Sequence, residues 1–291
     1  MTTNNKQGVF KSQGLTQAEL TEIKALADVC NAYEGLDLKL NWNTLQSRPE
    51  NETNDFLYYE EGMLVGYLAL FSFNSQEGEI SGMVYPPARR KGIFTTLFRA
   101  AQQECQRRGL PMLLLIVEHV SQSGKAFAEA QGALYRNSEY KMVLEEAKSP
   151  APFDNRLLFR LAKPEEAQTL AHITAISFDI PEQEVDWYSA SKIQKPTNRH
   201  YIATLDEEYV GKIDVTFEER EVFIIGFGVL PPYRGRGYGR QMLARTIQEI
   251  LTTGQYQIVL EVATENKNAL SLYQSCGFRE TSSYDYYTLH V

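Results

Sequence analysis

The chain has 291 residues, 43% of them hydrophobic, and a formal net charge of −8. That length exceeds one average domain and supplies ample apolar material for buried cores. The acidic balance argues against nucleic acid or an anionic membrane as partner and for a cationic substrate.

Residues 1–14 are polar and lack an apolar h-region, so no signal peptide is expected. The longest apolar run, MLLLIV at 112–117, has the length of a buried strand and falls well short of the roughly 18 residues a membrane helix needs. Cys30, Cys105 and Cys276 form no C-x-x-C pair, and His119, His172, His200 and His290 are scattered. The chain therefore reads as reduced and cytoplasmic, with no disulfide framework and no metal.

The first half is then repeated. LVGYLAL at 64–70 reappears as YVGKIDV at 209–215, and VYPPARRKGIF at 84–94 as VLPPYRGRGYG at 229–239. Trp42 and Trp187 show the same offset of 145, as do Gly132 and Gly277. One constant offset through four landmarks indicates a duplicated unit the size of an ordinary domain. EAKSPAPFDN at 146–155 suits an extended linker. The expected organisation is a first domain over 1–148, a linker over 149–155 and a second domain over 156–291.

In the second copy, 208–217 and 221–229 read as successive strands joined by a charged turn. Met242, Leu243, Thr246, Ile247, Ile250 and Leu251 form a helical stripe that Gly254 can end. QIVLEVA at 257–263 is a short β-branched run, predicted as a central strand. NKNALSLYQSCGF at 266–278 predicts a helix with Asn266 or Asn268 near its N-cap and Gly277 as its stop. SSYDYYTLHV at 282–291 predicts a final strand. The order of elements is that of a mixed α/β layer fold.

The strand-to-helix junction YRGRGYG (233–239) carries three glycines in seven positions. A Walker A string is absent, and a dinucleotide G-x-G-x-x-G fits neither the spacing nor the intervening Pro231 and Pro232. A pyrophosphate cradle at a helix N-terminus fits better. Small residues let backbone N–H groups converge on an anion, and Arg234, Arg236 and Arg240 add charge. The plainer alternative is a basic surface turn, which the strand before and the helix after disfavour.

With Arg234, Gly237 and Gly239, this loop resembles the R-x-x-G-x-G loop of the GNAT superfamily of N-acetyltransferases. LEVATENKNALSLYQSCGF resembles the later strand-loop-helix signature of that superfamily, and in particular its sub-group that acetylates protein N-terminal amines. The resemblance covers roughly residues 157–291. It implies acetyl-CoA as donor, a primary amine as acceptor and no metal. It also implies a mixed, mostly antiparallel sheet flanked by helices and splayed between the strands at 221–229 and 257–263. By that resemblance the cofactor-binding positions are Phe227, Val229, Arg234, Gly235, Arg236, Gly237, Tyr238, Gly239, Arg240 and Asn268. Phe227–Val229 act through main chain, and Asn268 has helix capping as a competing role.

Amide formation from a thioester needs a deprotonated amine, a stabilised oxyanion and a protonated leaving thiolate. Glu261, a carboxylate in an apolar strand, is the candidate base, with a structural ion pair as the alternative. Tyr273 is the candidate acid, with core packing as the alternative. Cys276 lacks a nearby helper and reads as structural. Asp179, Glu182, Glu184 and Asp186 either attract a cationic acceptor or form a solvated helix start.

In the first copy Glu261, Asn268 and Tyr273 correspond to Ile116, Ser123 and Ala128, and Phe94 stands for Gly239. Glu118, two residues beyond Ile116, would replace the base only after a register shift. Residues 1–148 therefore resemble a degenerate, non-catalytic GNAT-like domain whose cradle Phe94 narrows. The expected function is N-acetyl transfer by direct attack in the second domain. The alternative is a CoA-binding regulatory or scaffold protein without turnover. The acceptor and the oligomeric state are left open.

Overall fold

The computed structural model describes residues 6–148, 154–185, 187–218, 220–254 and 256–291. Most of the expected linker (149–153) and the acidic candidate Asp186 lie outside them. The chain forms two compact units, Met1–Glu139 with Ser282–Val291, and Tyr140–Thr281.

The first unit begins with β1 (Gly8–Ser12), α1 (Gln17–Glu34) and a short α2 (Trp42–Gln46), followed by β2 (Asp55–Glu60), β3 (Met63–Phe71) and β4 (Glu77–Val84). Then come α3 (Ile93–Arg108), β5 (Met112–Glu118), α4 (Gln122–Ala130) and β6 (Leu134–Leu144), of which residues 134–139 belong here. Thr16 and Glu19 form a capping box at the start of α1, and Gly35 closes it at φ 69°. The strand order is β1-β2-β3-β4-β5, with the chain's last strand beside β5. Neighbours are antiparallel except β4 and β5, whose crossover is α3. Leu97, Phe98, Ala101 and Cys105 of α3 pack on Leu113 and Leu115 of β5. Burying each large apolar side chain stabilises by about 1.5–3 kcal/mol.

The second unit repeats this plan with β7 (Leu157–Leu161), α5 (Ala167–Phe178), α6 (Ala190–Ile193), β8 (Asn198–Leu205), β9 (Glu208–Phe217) and β10 (Glu221–Val229). It continues with α7 (Tyr238–Thr253), β11 (Gln257–Ala263), α8 (Lys267–Cys276) and β12 (Phe278–His290). The predicted strands, helices and glycine stops of the second copy are all present. Leu251 departs from the stripe on α7, being 48% exposed, whereas Met242, Leu243, Thr246, Ile247 and Ile250 are buried. The offset of 145 holds in three dimensions. It relates α3 to α7, β5 to β11, and the helix caps Ser121 and Asn266, each of which accepts a backbone N–H three residues on. It also relates the hairpin turns at Glu61–Gly62 and Asp206–Glu207, where both central residues have positive φ.

The last strand does not end in the unit where it starts. β12 follows the second copy in sequence, yet residues 282–291 belong to the first unit, while residues 140–144 of β6 belong to the second. Tyr284–His290 pair antiparallel with Glu118–Met112 of β5. The sequence-based domain bounds follow the repeat, and the compact units follow these pairings.

In each unit the parallel pair is short. β4 and β5 pair only over Glu77–Ile80 and Met112–Leu115, and β10 and β11 only over Glu221–Ile224 and Gln257–Leu260. All four strands run on beyond their last paired residue, so each unit has an opening between two diverging strands.

Candidate active site

The loop from Val229 to Tyr238 has the backbone of an anion cradle. Gly235 and Gly237 sit at φ 74° and 84°, where a Cβ would meet nothing within 4 Å. It is the left-handed backbone, not crowding, that calls for glycine there. The chain then enters α7, whose unpaired N–H groups and dipole favour an anion. Arg234 is tied inward: Nε donates to the carbonyl of Val229 at 2.8 Å and Nη2 to that of Ser177 at 3.3 Å. It therefore shapes the loop. Arg236 and Arg240 are exposed and make no ion pair among the described residues. Tyr238 turns into a core cluster with Leu157, Ala203, Val210 and Met242, which leaves only its main chain to the loop.

Gly239 lies against the strand. A Cβ there would stand 3.4 Å from Val229, 3.5 Å from Phe227 and 3.6 Å from Leu272. The Phe227 ring in turn lies 6.3 Å from that of Tyr273. Val229, Phe227, Gly239 and Tyr273 thus gather at one end of the opening, drawn from β10, α7 and α8. Tyr273 is 8% exposed, and its hydroxyl makes no hydrogen bond among the described residues. Burial pushes the phenol up to about 12. The hydroxyl therefore stays protonated at neutral pH. Glu261 is half-buried on β11, at the first position past the last residue paired with β10. Asn268 is exposed in the first turn of α8, and the capping falls to Asn266. Cys276 is buried beneath α8. Among the acidic candidates, Glu182 bonds His172 at 2.9 Å and Asp179 closes α5 at φ 54°.

Two features escaped the sequence reading. The first is a bulge in β10. Ile225 faces Asp214 and Gly228 faces Lys212, so three steps on β10 match two on β9, and Gly226 takes φ 51°. Main-chain groups of Gly226 and Phe227 leave the β9 ladder at the edge that β11 has already abandoned. In β4 the pairing with β3 runs without a break. The second is a buried polar cluster beneath this bulge. Lys212 is fully buried and bonds both Asp214 and Tyr188. Tyr188 donates to Asp214 at 2.6 Å, and His200 Nδ1 lies 2.9 Å from the other oxygen of Asp214. Burial pulls the Lys212 ammonium down; the opposite charge of Lys212 and the His200 contact hold Asp214 down against burial. A Cβ at Gly226 would come within 2.6 Å of Asp214. The cluster thus requires glycine at the bulge. Its signal was legible: Lys212 and Asp214 are two charges at alternate positions of an apolar strand, facing the same way.

Two units, each built on a parallel pair that opens beside a basic loop and a helix start, define a tandem acyl-transfer fold. A family model described as the acetyltransferase (GNAT) family matches residues 22–133 and again 166–278, and the chain belongs to that family. Members use acetyl-CoA as co-substrate, and the positive-φ glycines, the helix start and the strand opening of the second unit suit such a donor. The chain is similar to the uncharacterized N-acetyltransferase YycN of Bacillus subtilis, 35% identical over 92 residues, which cover 29% of this chain and 59% of that protein. It is similar to the ribosomal protein bS18-alanine N-acetyltransferase of Salmonella typhimurium, 38% identical over 62 residues, covering 21% of this chain and 42% of that one. It thus spans less than two thirds of either relative. A mycothiol acetyltransferase of Thermomonospora curvata is 24% identical over 295 residues, covering 94% of this chain and 95% of the relative. Among solved structures, a GCN5-related N-acetyltransferase from Sphaerobacter thermophilus has a TM-score of 0.80 at 16% identity, covering 97% of this chain and 95% of that one. A tandem GNAT protein from the clavulanic acid biosynthesis pathway has a TM-score of 0.71 at 15% identity, covering 97% and 98%. These likenesses show a tandem GNAT fold.

Proposed function

We propose that the second unit transfers an acetyl group from acetyl-CoA to a primary amine by direct attack. The observation that carries this reading is the gathering of Val229, Phe227, Gly239 and Tyr273 beside the β10–β11 opening, with Glu261 on its far strand. The donor supplies a thioester whose diphosphate suits the cradle of Gly235, Gly237 and the α7 N–H groups, with Arg236, Arg240 and Asn268 on its exposed side. Glu261, directly or through water, takes a proton from the acceptor ammonium. The freed amine forms the new N–C bond as the C–S bond breaks. Main-chain N–H groups released by the bulge stabilise the oxyanion, and the Tyr273 hydroxyl donates to the departing sulfur.

Two acceptor classes have support. The short likeness to a ribosomal-protein alanine acetyltransferase favours a peptide N-terminus. The full-length likeness to a mycothiol acetyltransferase favours a small amine. The test is thiol release from acetyl-CoA with alanine-starting peptides and with small primary amines, run on the wild type, Glu261→Gln and Tyr273→Phe. Release that either variant reduces at least a hundredfold supports the assignment. Acetyl-CoA binding without release on any acceptor overturns it in favour of a CoA-binding protein without turnover.

A further inference from the structure

The first unit contains a cleft of about 430 Å³ in its own strand opening. Its loop keeps the backbone of the second unit's. Arg89 has φ −66° and ψ 161° against −65° and 153° at Arg234, and Gly92 has φ 80° and ψ 5° against 84° and −5° at Gly237. Arg89 Nε also repeats the tie to the strand end, donating to the carbonyl of Val84 at 3.0 Å. Phe94 does not close this space. Its ring meets Phe127 edge-on at 4.7 Å and forms part of the wall.

The walls are largely apolar, from Leu36, Leu38, Met83, Phe94, Ile116 and Phe127, interrupted by the carboxylates Glu34 and Glu118 and, at the loop, by Arg89 and Arg90. Glu34 is already committed, to Arg89 at 2.7 Å and Ser123 at 3.1 Å. Glu118 is different. It is only 7% exposed, and its Oε2 is shut from solvent without a hydrogen-bond partner. Burial, and then the charge of Asp37, push its carboxyl up. A buried oxygen with nothing to accept from is costly unless a ligand completes it. Strand alternation sets Glu118 on the same face as Ile116, the counterpart of Glu261. The first unit thus retains a carboxylate on that face, one alternation further along β5.

We propose that this cleft is a second ligand site, which takes a lipophilic primary amine with its ammonium against Glu118 and its apolar body along the Leu36–Phe127 walls. The apolar walls exclude strongly hydrated cations. Glu118, whose Oε2 has no hydrogen-bond partner, selects one ammonium over an alcohol or an acid of the same shape. This site is independent of the chemistry assigned to the second unit.

The test uses the full chain and two probes of equal shape, 2-phenylethylamine and 2-phenylethanol, titrated by calorimetry. The amine is expected to bind the wild type, and Glu118→Gln at least tenfold more weakly. The alcohol is expected to bind wild type and Glu118→Gln equally. Equal amine affinity in Glu118→Gln, or no amine binding to the wild type, would each overturn the proposal. Should Glu118→Gln fail to fold, the methyl-¹³C signal of Met83 in the wild type decides. A shift on adding the amine sustains the site, and an unmoved signal removes it.

Discussion

Tyr273→Phe removes one oxygen and keeps the ring, so it separates chemistry from packing. The ring is buried in a core with Leu243, Ile247, Leu260 and Phe278, and lies 6.0 Å from the Phe278 ring. Phenylalanine keeps those contacts. The hydroxyl makes no hydrogen bond among the described residues, so its removal strands no partner. Removing a hydroxyl that holds no protein partner should leave stability close to unchanged. Catalysis should change, with kcat falling about 10²–10⁴-fold, a barrier rise of about 3–5.5 kcal/mol. Because burial holds the phenol at about 12, the group stays protonated in the working range. Any alkaline decline in kcat below about pH 10 therefore belongs to another group and should survive in the variant. The assay pairs thiol-release kinetics with thermal unfolding of the same preparations. Full kcat in Tyr273→Phe, with Tm unchanged or raised, would refute the catalytic assignment and leave Tyr273 a packing residue.

Three further outcomes follow from geometry. Arg90 holds φ 64° at the place where the second unit has Gly235, so Arg90→Gly should raise the unfolding free energy by up to about 1 kcal/mol in urea titration, and a loss would contradict the strain argument. Lys212→Met leaves Asp214 buried without its main counter-charge, and should cost about 3–5 kcal/mol; pairing it with Asp214→Asn should restore much of that loss, measured by urea midpoints. Burial raises the Asp55 carboxyl from 3.8 to about 6 despite Arg48 at 2.9 Å. A folded pKa above the unfolded one means the contribution of Asp55 is complete below about pH 4 and is lost as pH rises through 6. The stability advantage of wild type over Asp55→Asn should therefore shrink by up to about 3 kcal/mol between pH 4 and pH 8, and a constant difference across that range would contradict this.

What the sequence made legible was local or periodic. Helix stripes, glycine stops and the strand runs of the second copy depend on neighbours a few residues apart, and the repeat carried them into the first copy. Side chains that meet across hundreds of residues were not legible. Tyr284 donates to the main chain of Asp37 at 2.9 Å, and Asp285 lies 2.9 Å from His119. No periodicity announces such pairs, so the exchange of strand ends between units stayed hidden. The bulge at Gly226 was half visible, because a strand reading GFG gives up two side chains, but only the register against β9 says that its main chain is freed. Phe94 shows why subtracting the repeat is not enough. The offset correctly sets it against Gly239, and bulk at a helix start suggests a narrowed loop. The ring instead turns onto Phe127, and the loop keeps the same dihedrals to within about ten degrees. Losing a glycine whose φ is ordinary removes space only where the new side chain points, whereas losing Gly235 to Arg90 loads the backbone itself. The position of a lost glycine in φ, ψ space, which no residue name states, decides whether a duplicated site loses its shape or only changes its walls.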